Sequence, residues 1–142
     1  MSRSISASMT LAFLLIALPS MASEEEYLAW SSLRLECKES PQAGKVTVFA
    51  TMGDAGLSSF QLTAFGKDHS LAASDLAKVR DFPLDSLRVT HEAGYPQLGG
   101  HTVHFKLSRS YYVPAQMKSV AEDVVISVSK GKGLSVSGPH RR

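Results

Sequence analysis

The sequence predicts a mainly β protein, an antiparallel sandwich or partly open barrel of about seven strands with one short helix near residues 70–80. Short runs in which apolar and polar residues alternate with a period of two recur along the chain, and clusters of Gly, Pro, Asp and Ser separate them. One stretch alone has the Leu, Ala and Lys texture of a helix.

Ahead of the first strand, residues 1–22 have the three parts of an export signal. Arg3 gives a positive start, residues 9–18 form an uncharged apolar run, and Ser20-Met21-Ala22 presents small residues for cleavage. The run is about ten residues long and ends at Pro19, whereas a bilayer core needs roughly 20. The expectation is a cleaved signal peptide, a mature chain from Ser23, no stable membrane anchor, and an extracytoplasmic location, periplasmic or secreted. A single β-rich domain is expected over residues 23–138, followed by a short basic tail at 139–142.

The first strand is expected over residues 30–37, with Leu33, Leu35 and Cys37 on one face. After the turn at residues 41–44, strands at 45–52 and 57–65 form a hairpin through Gly53-Asp54-Ala55-Gly56. Asp68-His69 reads as a polar turn. The helix follows, with Ser74 or Asp75 at its start, and Pro83 ends it by disfavouring helical backbone at Phe82. Two strongly alternating strands, 85–92 and 101–108, flank a turn centred on Pro96. A loop is expected at 110–119 around Pro114, then strands at 123–129 and 134–137.

Charge and cysteine usage narrow the function. Of 15 Lys and Arg residues only Arg3 lies in the leader, which leaves fourteen against 13 Asp and Glu. A nearly neutral mature chain lacks the dense basic surface of a nucleic-acid binder, so no such partner is expected. Cys37 stands alone, so no internal disulfide forms, and its parity with Leu33 and Leu35 makes it a small buried hydrophobe.

The candidate site residues come from the second hairpin and the loop after it. A turn symmetric about Pro96 opposes Leu87 with Phe105, Val89 with Val103, and His91 with His101. Two facing imidazoles supply two ligands for zinc or copper, and a complete site needs more. End-of-strand histidines bonded to water are the plainer reading. Tyr95, in the turn, and Arg109, Tyr111 and Tyr112, beside Pro114, form an aromatic and basic patch for a protein or glycan ligand if the loops meet at one edge. The plainer reading packs one tyrosine inward. Lys130, Lys132, Arg141 and Arg142 without an intervening acid read as a solvated end.

No Gly-x-Ser-x-Gly, His-Glu-x-x-His or phosphate-cradling glycine motif is present, and no cofactor is called for. The leading expectation is a non-catalytic extracytoplasmic binding or interaction module. The alternatives are a small metal-binding protein using the histidine pair, and a structural envelope component using a free sheet edge.

Overall fold

The computed structural model describes residues 31–95 and 100–142. The leader at 1–22, Trp30 and the Pro96 turn lie outside them.

Among these residues eight strands form two antiparallel sheets of four, each in sequential order. The first holds β1 (Ser32–Glu36), β2 (Thr47–Gly53), β3 (Gly56–Ala64) and β4 (Lys67–Ser70). The second holds β5 (Arg88–Ala93), β6 (His101–Val113), β7 (Lys118–Ser129) and β8 (Gly133–Arg141). The sheets make a sandwich rather than a closed barrel. Helix α1 (Ala73–Val79) and a short 3-10 turn at Leu84–Ser86 carry the chain from one sheet to the other.

Alternation builds the core directly. Val48, Ala50, Phe60 and Leu62 project from the first sheet and Val103, Phe105, Leu107, Val124, Ile126 and Val128 from the second, all essentially inaccessible to solvent. Each large apolar side chain so buried contributes about 1.5–3 kcal/mol. Leu76 and Val79 on α1 and Phe82 after it join the same cluster. Cys37 is a free thiol packed half-buried against it, and burial pushes its pKa up.

Five elements differ from the sequence expectation, the first being the strand expected from 85, whose opening residues form the 3-10 turn Leu84–Ser86 so that β5 begins at Arg88. Asp68-His69 is strand, not turn: β4 pairs with β3, and the Thr63 hydroxyl donates to Asp68 at 2.6 Å. Neither Ser74 nor Asp75 caps α1, whose N-cap is Ala72; Asp75 instead meets Lys78 at 2.8 Å one turn on. The 110–119 stretch is an extended hairpin turned by Pro114–Gln116, not a loop. The final strand continues to Arg141, so residues 139–141 of the expected tail are part of the sheet.

That last extension depends on Gly138, whose φ is +108°. A Cβ there would sit 2.7 Å from the Asp123 carbonyl oxygen, so only glycine lets β8 pass β7 this closely.

The hairpin between β5 and β6 keeps the expected faces but not the expected partners. Val89 lies opposite Phe105, His91 opposite Val103, and Ala93 opposite His101. Pairing is thus displaced by two residues. A slip of two preserves which side chains point inward, because the strand period is two.

Candidate functional site

Strand β6 is longer than the sheet around it. Pairing with β5 stops at Lys106, and pairing of β7 with β8 stops at Glu122 opposite Arg141. Beyond them β6 and β7 continue as a pair to Val113 and Lys118. Among the described residues no other strand flanks this portion. Four residues on each side project the arm by roughly 13 Å.

At the arm's root two adjacent carboxylates are buried between cations. Glu122 and Asp123 interrupt the apolar run of β7, and their side chains retain 6% and 9% of their exposure. Because neighbours in a strand face opposite ways, each acid serves one face of the sheet. On the face turned toward the core, Arg109 Nε and Nη2 donate to Glu122 Oε2 at 3.0 and 2.8 Å. The Tyr111 hydroxyl and Arg141 Nε donate to Oε1 at 2.9 and 3.2 Å. On the outer face Asp123 accepts from Ser108 Oγ at 2.7 Å, Arg142 Nη2 at 2.6 Å and Lys106 Nζ at 2.9 Å.

Both carboxyls are held below their ordinary pKa values. For Glu122 the bonds from Arg109 and Tyr111 dominate. For Asp123 desolvation pushes upward, and Lys106, Ser108 and Arg142 together outweigh it. No buried side-chain polar atom among the described residues is left without a partner. Arg141 and Arg142 stay largely exposed, as solvated charges do, and each also donates to one of the two acids, one on each face, at the end of β8.

Arg109 is occupied as well as placed. Its guanidinium lies 4.6 Å from the Phe82 ring centroid and 5.5 Å from that of Tyr111, with Asp81 at 3.8 Å. Arg109 and Tyr111 therefore build the root and wall a shallow hollow with Asp81, Pro83, Ser108 and Ser110. On the other side of Phe82 and Pro83 lies an apolar cleft of about 670 Å³ lined by Leu33, Met52, Leu57 and Leu84, with Arg80 at its rim.

The arm's outer part is exposed. Tyr112 retains 58% and Met117 83% of their accessible surface. Met117 adopts a left-handed backbone (φ +49°), which closes the turn after Pro114. The expected aromatic patch is thus divided. Arg109 and Tyr111 come together, Tyr112 points to the opposite face, and the exposed Tyr95 belongs to the far end of β6. Ten residues of strand between His101 and Tyr111 span roughly 33 Å, too far for Tyr95 to share a ligand with them.

His91 and His101 do meet. His91 Nε2 and His101 Nδ1 are 3.0 Å apart, with ring centroids at 5.1 Å and planes inclined by 17°. An N–N distance shorter than the separation of stacked rings means contact edge to edge, through one N–H···N hydrogen bond. The displaced register explains this: the histidines are diagonal neighbours, and the wider spacing lets ring edges rather than faces approach. No group of three or more His, Cys, Asp or Glu side chains suited to a metal occurs among the described residues.

Sequence reasoning missed one further constellation. On the outer face His104 Nδ1 lies 2.9 Å from Ser127 Oγ, and its Nε2 lies 2.9 Å from Glu92 Oε2. The carboxylate fixes the tautomer, leaving Nδ1 to accept the serine proton, as a general base does. Strand β7 is nevertheless paired on both sides at Ser127, with His104 and Ser135, so its backbone N–H groups are committed to the ladder rather than aimed at an oxyanion. The trio serves as a polar cross-strand ladder beside Thr102 and Ser129, whose hydroxyls lie 3.0 Å apart. Strand parity could have revealed it, since residues 92, 102 and 104 share the outward face.

The fold and the arm define a two-sheet antiparallel β-sandwich protein carrying a projecting hairpin. Comparison of the chain with family models, curated proteins and solved structures gives no match.

Proposed function

We propose that this is a non-catalytic, extracytoplasmic interaction module that engages a protein partner through the arm formed by β6 and β7. The observation that carries the reading is the contrast between a clamped root and an uncovered tip. Glu122 and Asp123 with their cations fix the arm's base, while Tyr112 and Met117 remain in solvent. A hairpin with no third strand is marginally stable in water, so an arm of this kind gains from packing against another surface.

Tyr and Met suit recognition because they offer large apolar area, Tyr at little entropic cost and Met with an adaptable shape. Outward backbone groups on either side of the arm add a second mode, strand addition, which fits a structural component of an envelope assembly. Secretion accords with the leader's composition.

Co-isolation tests the reading. The tagged mature protein is recovered from its own compartment alongside the Tyr112→Ala/Met117→Ser double variant and a Thr90→Ser control. A stoichiometric partner retained by the parent and control but lost by the double variant is expected. A partner held equally by all three contradicts recognition by the arm.

A further inference from the structure

The far end of β6 carries a different chemistry, independent of the arm. The geometry points to His91 and His101 as a two-coordinate site for a closed-shell monovalent cation, Cu(I) in chemical class.

The inference begins with the direction of the nitrogens. In the edge-to-edge pair one ring's N–H points at the other ring's lone pair, 3.0 Å away. If the donor ring moves its proton to its second nitrogen, two lone pairs face each other along one line. Both rings stay neutral, each keeps one N–H, and no proton is released. An ion inserted on that line receives linear N–M–N coordination.

Metal–imidazole bonds of about 2 Å place the two nitrogens about 4 Å apart, so the pair must open by about 1 Å. Nothing in the packing resists this. His91 is exposed, two residues before the end of β5, and His101 is half-exposed at the start of β6. The cross-strand ladder fixes the two Cα positions, so the site is organised before the ion arrives.

Ligand number then selects the ion. Zinc takes four ligands in structural sites and three with water in catalytic ones, and tetragonal Cu(II) also takes four. The sequence between the strands, Gly94-Tyr95-Pro96-Gln97-Leu98-Gly99-Gly100, offers no His, Cys, Asp or Glu to complete such a set. A filled d shell imposes no geometry of its own, and two strong in-line nitrogen donors satisfy Cu(I).

The test is Cu(I) titration of the mature protein under anaerobic, reducing conditions, in competition with a chromogenic chelator. It uses the Cys37→Ser/Met52→Leu/Met117→Leu background, which removes every sulfur from residues 23–142, because thiolate and thioether sulfur also bind this soft ion. One equivalent should bind, and Ag(I), its redox-inert analogue, should shift the ring proton resonances of His91 and His101 together. His91→Gln and His101→Gln should each lower the affinity by about tenfold or more, whereas His104→Gln and His140→Gln should leave it unchanged. Equimolar Zn(II) should not displace the ion. The inference is overturned by no binding in the sulfur-free background, by binding that survives either substitution, by equal loss on replacing His104, or by displacement by zinc. All variants replace exposed or half-exposed side chains, and thermal melts of the metal-free proteins establish that each is folded.

Discussion

The two ends of β6 solve the same problem in opposite ways. Toward its start the strand remains inside the sheet, flanked by β5 and β7, and His101 meets His91 through the ladder itself. Toward its finish β5 and β8 stop, and the side chains of Glu122 and Asp123, with the Arg142 N–H donated to the Ala121 carbonyl at 2.9 Å, hold the continuing hairpin to the sandwich. Backbone pairing needs no particular residues. A carboxylate clamp needs specific charges, some of them nineteen positions apart in sequence.

Between the two ends lies the shared core, and the largest effect is expected there. Phe105→Ala removes a fully buried ring between the sheets and should cost about 3–5 kcal/mol, seen as a large drop in the denaturation midpoint. Both ends of β6 should lose protection together. A smaller loss confined to one end would mean that the ends are not joined through a common core.

Breaking the clamp separates the ends. Glu122→Ala leaves Arg109 and Arg141 without their carboxylate and removes the acceptor of the Tyr111 hydroxyl. Hydrogen exchange should accelerate at residues 110–121 while 103–105 stay protected. Equal acceleration at both would show that the acid supports the whole sandwich rather than the arm.

Acid should do the same reversibly. Both carboxyls have folded-state pKa values below the ordinary 4.5 of glutamate and 3.8 of aspartate, so their contribution is complete above those values and disappears as the pH falls through the lowered ones. Stability should therefore decline below about pH 4 in the parent and less steeply in Glu122→Gln/Asp123→Asn. Parallel pH profiles would remove the clamp as the cause.

Gly138→Ala acts from β8. A side chain at φ +108°, within 2.7 Å of the Asp123 carbonyl, should cost about 1–3 kcal/mol and displace Arg141 and Arg142 from their acids. The smallest effect on stability belongs to the tip. Tyr112→Ala and Met117→Ser should each shift stability by no more than about 0.5 kcal/mol, measured by chemical denaturation.

The same contrast explains what the sequence revealed. Period-two alternation identified the inward faces of β5 and β6, including Val89, Val103 and Phe105, because burial enforces it. It did not reveal which residues oppose each other, since a displacement of two leaves every face unchanged and nothing in Pro96-Gln97-Leu98-Gly99 dictates the turn. Strand β4 escaped notice because Lys67-Asp68-His69-Ser70 is a polar edge segment without the β-branched residues that mark strands. The arm escaped for a related reason: from Ser110 to Ser119 only Val113 is less than exposed, so no alternation marks a face. The clamp left one readable sign, two acids set between Val120-Ala121 and Val124-Val125, a place where carboxylates occur only when paired. Their partners depend on β8 returning alongside β7, which no local pattern encodes.

Photo-crosslinking along β6 tests the arm as the recognition element most directly. A photoreactive amino acid is placed at position 104, 112 or 117 of the full chain and activated in intact cells. Cross-links to one partner from 112 and 117, with none from 104, are expected. Cross-links from 104 as strong as those from the tip, or none from either tip position, would contradict the arm as the surface through which this protein works.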